Sequence, residues 1–204
     1  RRGGEVKKRK EKEKNPARDR EVLRDKVFWA MTLLMSVLAT CDRLRTASSA
    51  EKDKRLRGFG YNGSVSGDGH CDDVGHLMVD GHCERTLHGE ENLRENTRRE
   101  DLIGSRVRIV ATPCIRCVKP LVNVPVGEIE YEGEYQNARG SEFIEKIAAR
   151  RKVKIVRREI DWPALFQEIF DLLCRPGGVF SKKGYRLHIV KEPVGENVKP
   201  RRRE

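Results

Sequence analysis

The sequence predicts an α/β fold, a sheet flanked by helices, because segments with strand character alternate with segments of helical character. In residues 106–111, RVRIVA, charged and apolar side chains alternate and several are β-branched, which predicts a strand. Good helix formers fill residues 86–99 before it, and a second helix is expected from Cys114 to Asn123 after it. A length of 204 residues allows one domain with tails, so we expect a single core.

The amino-terminal part of the domain is predicted to begin with a helix. Apolar residues recur at spacings of three, four and seven between residues 19 and 39, which indicates a helix with one buried face. Residues 41–58 are expected to form the first strand or hairpin, although few of them are β-branched or aromatic. Six glycines and two turn-prone pairs between residues 59 and 82 predict loops.

The rest of the chain continues the alternation of helix and strand. His88 is expected in the first turns of the helix over 86–99, and Pro113 ends the strand that precedes Cys114. The further predicted elements are a strand over 128–131, a helix over 141–150, a strand over 153–156, a helix over 162–173 and a strand over 185–190. This division predicts a tail at 1–20, a central domain at 21–160 and a helix–strand extension with a basic tail at 161–204.

Charge is unevenly distributed along the chain. Lys and Arg outnumber Asp and Glu by 43 to 32, and a net charge of +11 favours polyanions such as nucleic acid or phosphorylated substrates. Eight of the first fourteen residues are basic, and the chain ends in a basic cluster of Lys199 and 201–203. Neither end can bury apolar surface, so both are expected to be disordered tails, with an arm that contacts phosphates as the alternative.

The longest apolar run is interrupted and covers residues 27–39. It is shorter than the roughly 20 residues that a bilayer span needs, so we expect no membrane segment. Charged residues resume at once in CDRLR, without a small-residue cleavage site, and we therefore expect a cytoplasmic protein.

Two short motifs carry the chemistry. His88-Gly89-Glu90 is followed, after twenty-two intervening residues, by Pro113-Cys114-Ile115-Arg116-Cys117. A catalytic zinc needs three protein ligands and one open position, which His88, Cys114 and Cys117 can supply. Two cysteines in the first turn of a helix can direct both sulfurs at one ion, and the helix N-terminus favours their thiolates.

Glu90 is the candidate catalytic residue. It lies two residues after His88, close enough to exchange protons at the zinc site without ligating the ion. The arrangement His-x-Glu followed by Pro-Cys-x-x-Cys is the signature of zinc nucleobase deaminases. The alternative for the same residues is a structural zinc closed by a fourth protein ligand.

Four segments together resemble the deoxycytidylate deaminase family, and most of all its bacterial competence-operon members. The resemblance covers about residues 27–156. Its segments are GYNG at 60–63, HCDDVGH at 70–76, DGHCERTLHGEEN at 80–92 and TPCIRCVKPLVN at 112–123. It implies a cytidine-deaminase-like three-layer α/β/α sandwich with a mixed sheet, and a homo-oligomer.

The same resemblance implies dCMP as the substrate, with dUMP and ammonia as products, and a role in pyrimidine nucleotide metabolism. Asn62 would contact the sugar, Gly89 would offer a backbone contact to the base, and Tyr135 would line the nucleotide site. Some family members are regulated by deoxycytidine and thymidine triphosphates with Mg²⁺, so a regulatory nucleotide with Mg²⁺ is a further expectation.

Two positions depart from the family pattern. Relatives usually carry Ala where this chain has Gly89, a small change that should preserve activity. They also have an apolar first strand where this chain has SSAEKD at 48–53, so we expect that edge of the sheet to be poorly formed.

A second zinc site, with a structural role, is predicted in the loop before the first motif. Four soft or borderline ligands lie within thirteen residues there, and in a reducing compartment such spacing favours a metal over a disulfide. Cys71 and Cys83 are the principal candidates, with His76, His82 or Cys41 completing the site. Alternatively, the histidines bond to backbone or substrate and the cysteines are merely buried.

The sequence therefore predicts an enzyme that deaminates a cytosine nucleotide, most simply dCMP. The alternative is a deaminase acting on cytosine in single-stranded DNA or RNA, which the basic ends favour and the low aromatic content of 6% does not. A non-catalytic zinc module is the third possibility, and the intact Glu90 argues against it.

Overall fold

A computed structural model describes residues 16–133 and 140–192, which fold around a five-stranded sheet. The helices are α1 (Pro16–Met35), α2 (Cys71–Val74), α3 (Gly89–Asn96), α4 (Arg99–Leu102), α5 (Ile115–Asn123), α6 (Ile144–Arg150) and α7 (Trp162–Cys174). The strands are β1 (Ala47–Lys52), β2 (Arg55–Tyr61), β3 (Gly63–Ser64), β4 (Met78–Val79), β5 (His82–Cys83), β6 (Thr86–Leu87), β7 (Arg106–Val110), β8 (Glu128–Glu132) and β9 (Lys154–Arg158). Short 3₁₀ turns occupy Ser36–Leu38, Ser141–Phe143 and Ser181–Lys183.

The main sheet is mixed, with the strand order β2-β1-β7-β8-β9. Strand β1 pairs antiparallel with β2 and β7, whereas β7, β8 and β9 run parallel to one another. Helices α5 and α6 connect the parallel strands, as parallel pairing requires a crossover. The predicted three-layer α/β/α architecture is confirmed.

Different helices pack against the two faces of the sheet. Helices α3, α5 and α6 pack on one face around an apolar cluster that includes Leu93, Val118 and Ile129. Helices α1 and α7 cover the other face, where Trp29 and Leu165 form a smaller cluster. Because side chains alternate along each strand, the two faces of one strand serve two separate cores.

The first strand is well formed, and the prediction of a poorly formed edge at residues 48–53 is wrong. Ala47, Ser48, Ser49 and Ala50 are completely buried, and β1 lies inside the sheet between β2 and β7. Small side chains allow the helices on both faces to approach β1 closely. On the α1 side, the hydroxyls of Ser49 and Thr32 satisfy each other at 2.7 Å.

A buried arginine joins α1 to the sheet. Arg108 of β7 is fully buried, and its Nη2 donates to Asp25 Oδ1 at 2.6 Å and to Glu51 Oε2 at 2.7 Å. Its guanidinium also lies over the rings of Phe28 and Trp29. A central strand therefore tolerates a charge because two carboxylates compensate it.

Three sequence-based element predictions need correction. Residues 185–190 do not form a strand, because Gln167 of α7 takes their backbone bonds: its Nε2 donates to the Leu187 carbonyl at 3.1 Å and its Oε1 accepts the Ile189 N–H at 2.8 Å. Helix α1 begins at Pro16, within the segment predicted as a tail. The predicted loops at 59–82 contain the end of β2, two short strands and α2.

The remaining residues of both basic ends lie outside the described residues. Among the residues that the structure does describe, no helix combines the length and the apolar character needed to span a bilayer.

Candidate metal centre and active-site cavity

The two motifs meet at the amino-terminal ends of two helices. His88 is the N-cap of α3 and Cys114 is the N-cap of α5, each with an extended backbone that turns into its helix. Cys117 lies one turn into α5. His88 follows strand β6 directly, and Cys114 follows shortly after strand β7. The strands and the apolar core beneath them therefore determine where both helices start.

The structure brings the three predicted metal ligands together. Nδ1 of His88 lies 3.3 Å from Cys117 Sγ and 3.7 Å from Cys114 Sγ, and the two sulfurs are 3.6 Å apart. All three ligand atoms lie within 4.8 Å of one another. In the described part of the chain, no fourth His, Cys or carboxylate belongs to this group, which leaves a coordination position open.

Contacts within this cluster shift the pKa values of its three side chains. The contact with Cys117 and the hydrogen bond with His88 lower the pKa of Cys114 to about 4. The same hydrogen bond to Cys114 raises the pKa of His88 to about 9, against the effect of its burial. The contact of Cys117 with Cys114, together with burial, raises the pKa of the Cys117 thiol. One nitrogen with two sulfurs is a donor set that suits zinc.

Glu90 lies next to the cluster in the first turn of α3. Only 6% of the residue is exposed, and burial raises the pKa of its carboxyl group. Glu90 lines the same cavity as His88 and Cys114, but it is not in the ligand group. A buried carboxyl group with a raised pKa beside a cluster of candidate metal ligands is a candidate proton carrier.

Asn62 and Gly89, both predicted to contact substrate, are hydrogen-bonded to each other. Asn62 Oδ1 accepts the Gly89 N–H at 2.7 Å, and Asn62 Nδ2 donates to the Leu44 carbonyl at 3.0 Å. Asn62 lines the cavity, so its side chain also supports the wall of the site. Tyr135, the third predicted contact, lies outside the described residues.

The second cysteine cluster forms from four of its five predicted members. Cys41, Cys71, His76 and Cys83 place their ligand atoms within 4.8 Å of one another. Cys71 and Cys83 are 3.5 Å apart, and His76 Nδ1 lies 3.7 Å from Cys41 Sγ. His82 is not in this group, although it lines the same cavity as Cys41 and Cys83.

An aspartate orients the histidine of the second cluster. His76 Nε2 lies 2.9 Å from Asp42 Oδ1, which leaves Nδ1 to face the cysteines. Burial raises the pKa of Cys71 to about 12, whereas backbone and cysteine hydrogen bonds outweigh the effect of burial on Cys83 and lower its pKa to about 7. Three sulfurs and one nitrogen complete a tetrahedral set, which is typical of structural zinc.

Two arginines in the cavity escaped the sequence analysis. Arg43 and Arg116 line it together with Glu90; Arg116 directly precedes Cys117, and Arg43 lies two residues after Cys41. This proximity in sequence was the available signal, but a single arginine is by default a surface charge. A third arginine near this region, Arg85, forms an ion pair with Asp68 at 3.0 Å.

Comparisons with known proteins identify two relatives by sequence, while no protein-family model matches the chain. ComE operon protein 2 of Bacillus subtilis (strain 168) is 35% identical over 111 residues, which cover 53% of this chain and 59% of that protein. The chain thus spans about three fifths of that relative's length. Deoxycytidylate deaminase of Mycobacterium phage D29 is 26% identical over 121 residues, covering 54% of this chain and 94% of that protein.

A solved structure shares the fold. The dCMP deaminase from the cyanophage S-TIM5, in complex with dCMP and dUMP, superposes with a TM-score of 0.52 at 18% identity. The match covers 72% of this chain and 100% of that chain.

Proposed function

We propose that the chain is a member of the cytidine deaminase superfamily and that it hydrolyses a cytosine nucleotide, dCMP, to dUMP and ammonia. One observation carries the proposal: the ligand atoms of His88, Cys114 and Cys117 converge within 4.8 Å at a cavity that also contains the buried Glu90. A metal site and a buried proton carrier in one cavity are what hydrolytic removal of an amino group requires.

His88, Cys114 and Cys117 would hold the catalytic zinc. When bound, zinc supplies Lewis-acid activation of water at neutral pH. The cluster is suited to bind a cation because Cys114 already favours the thiolate form. Two helix N-termini support that negative charge, since the backbone N–H groups of α3 and α5 begin beside it.

Glu90 would carry the protons of the reaction. Its carboxylate takes a proton from the attacking water and delivers it to N3 of the cytosine ring. The water oxygen has by then bonded to C4, and the proton of this new hydroxyl group passes through the same carboxyl group to the amino group; the C4–N bond breaks, a carbonyl group forms at C4 and ammonia leaves. Burial supports this role, because it raises the pKa of the Glu90 carboxyl group and so makes that group a better proton acceptor.

The charges in the cavity support a phosphorylated substrate. Arg43 donates one hydrogen bond to the Gly81 carbonyl at 2.9 Å, and a guanidinium carries five donors. A deoxynucleotide with its base at Glu90 could therefore present its phosphate to Arg43. The two deaminase relatives point the same way, since their names specify deoxycytidylate or dCMP.

The second cluster would hold a structural zinc through Cys41, Cys71, His76 and Cys83. It would join α2 and β5 to the segment before β1, which otherwise have few apolar residues to pack together. Regulation by a nucleotide with Mg²⁺, a homo-oligomer and a cytoplasmic location stay predictions from the sequence.

A deamination assay tests the proposal. Purified protein loaded with zinc is incubated with dCMP or with a cytosine-containing single-stranded oligonucleotide, and ammonia and the ultraviolet shift from cytosine to uracil are followed. We expect turnover of dCMP that disappears after chelation and returns with zinc. Ammonia from the oligonucleotide alone would favour the polynucleotide deaminase, and no ammonia from either substrate would refute deamination.

A further inference from the structure

We propose that Arg116 is a positioning residue that locks together the two segments carrying the metal ligands. The proposal rests on the proposed function, because it requires that His88, Cys114 and Cys117 bind zinc. It concerns how tightly, and in what geometry, these residues hold the ion.

Arg116 belongs to one ligand segment and binds the other. It lies between Cys114 and Cys117 in the first turn of α5, and its side chain crosses to α3. There its Nε donates to Glu91 Oε1 at 2.8 Å and its Nη2 donates to Glu91 Oε2 at 3.2 Å. This two-point geometry is the strong form of an arginine–carboxylate pair. Although 49% of the Arg116 side chain is exposed, only 14% of the Glu91 side chain is.

The same carboxylate fixes the histidine ligand. Glu91 Oε2 accepts the backbone N–H of His88 at 2.9 Å, a bond that caps the start of α3. Glu91 therefore contacts His88 in one ligand segment and Arg116 in the other. A displacement of either segment relative to the other must break one of these bonds.

A third segment meets the same guanidinium. Nη1 of Arg116 donates to Glu84 Oε2 at 3.0 Å, and Glu84 directly follows Cys83 of the second cluster. One side chain thus joins both motif helices to the cysteine-rich loop. All three side-chain nitrogens of Arg116 are used in these bonds, which indicates a role in holding structure and not only a surface charge.

The Arg116 contacts matter because they hold the metal ligands in position before an ion binds. The nearest ligands of the two segments, His88 and Cys114, lie 26 residues apart in sequence, so their relative position depends on contacts between the segments. Outer partners of metal ligands typically contribute 10- to 100-fold in metal affinity. We therefore expect loss of the Arg116 contacts to weaken zinc binding about tenfold.

Zinc affinity measured by competition with a chromogenic chelator tests the role. Arg116→Gln should weaken zinc binding about tenfold, and Arg116→Lys should restore part of it, because lysine keeps the charge but not the fork. The matched control is Arg94→Gln on helix α3, the helix that also carries Glu91. This change removes an exposed ion pair between Arg94 and Glu95 and should leave zinc affinity unchanged. Glu91→Gln keeps an oxygen for the His88 cap while losing the ion pair, so it should resemble Arg116→Gln.

Cobalt substitution separates positioning from general stability. The visible spectrum of Co²⁺ bound at the cluster reports ligand geometry, and it should change in Arg116→Gln and Glu91→Gln but not in Arg94→Gln. Combining the first two changes should cost little more than either alone, because both remove the same contact. Parental zinc affinity and an unchanged cobalt spectrum in Arg116→Gln would overturn the positioning role alone. A parent protein that binds no zinc would overturn this role together with the proposed function.

Discussion

The backbone N–H of Gly89 donates a 2.7 Å hydrogen bond to Oδ1 of Asn62 and so ties the start of α3 to the residue that follows β2. The other end of the Asn62 amide holds the Leu44 carbonyl before β1. One buried side chain therefore sets the distance between the sheet and the helix that carries Glu90.

Replacing Asn62 by Ala should lower both stability and turnover. The change leaves the Gly89 N–H and the Leu44 carbonyl without partners in a buried site, at a cost of about 1–3 kcal/mol. Urea unfolding with zinc in excess measures the loss, and the dCMP assay measures turnover. The exposed Asn123 at the end of α5 offers the control, since Asn123→Ala should change stability by less than about 0.5 kcal/mol. Equal midpoints for both variants would contradict the bridging role of Asn62.

Glu90→Gln should reduce turnover about 10²- to 10⁴-fold while zinc stays bound. The amide fills the same space but neither accepts nor releases the proton, and it is not in the ligand group. Single-turnover kinetics with dCMP and metal analysis of the same sample check both parts. Glu95→Gln on the exposed side of α3 should behave like the parent. Deamination at the parental rate by Glu90→Gln would show that another group moves the protons.

Gly60→Ala should destabilise the fold more than any other glycine change near the site. A Cβ at Gly60 would lie 2.1 Å from the Gly89 carbonyl oxygen and 2.1 Å from the Leu93 nitrogen, so β2 and α3 would have to separate. We expect a loss of at least about 2 kcal/mol in the free energy of unfolding. Gly63→Ala is the matched control, because its Cβ would meet nothing closer than 3.6 Å.

Gly89→Ala should fall between these two variants. Its Cβ would approach the Gly60 carbonyl oxygen to 3.2 Å, a distance that a small shift can relieve. Thermal unfolding of the three variants in one buffer gives the order. If Gly60→Ala proved as stable as Gly63→Ala, the close approach of β2 to α3 would be refuted.

Zinc content should distinguish the two clusters. The parent protein should bind two zinc ions per chain, and the double change Cys71→Ser with Cys83→Ser should leave one, since it removes half of the second donor set. His82→Ala should keep two, because His82 lies outside that set. Elemental analysis after gel filtration measures the ratio. A parent with a single zinc, or a ratio of two in the double variant, would contradict a second metal site.

The chemistry of the proposed site was predictable because it is local in sequence. His88 and Glu90 lie two residues apart, and Cys114 and Cys117 lie three apart, so helix geometry alone places each pair at one helix start. The alternation of strand and helix likewise predicts a sheet covered on both faces, because each element must bury its apolar side.

Contacts between distant segments depended on packing and had no sequence pattern. Propensity suggested a weak first strand, yet burial between two helix layers selects the small side chains of β1. Cys41 joins Cys71 in the second cluster and His82 does not, although His82 is much closer to Cys71 in sequence.

The sequence by itself thus determined the candidate metal ligands, the candidate proton carrier and the α/β class, since all three follow from residues within a few positions of one another. Only the tertiary structure decided that Asn62 holds Gly89, that Arg116 reaches Glu91 and that four of five soft ligands meet. The physical reason is that such meetings depend on the relative placement of segments tens of residues apart. That placement is set by the close packing of the whole core and not by any short stretch of chain.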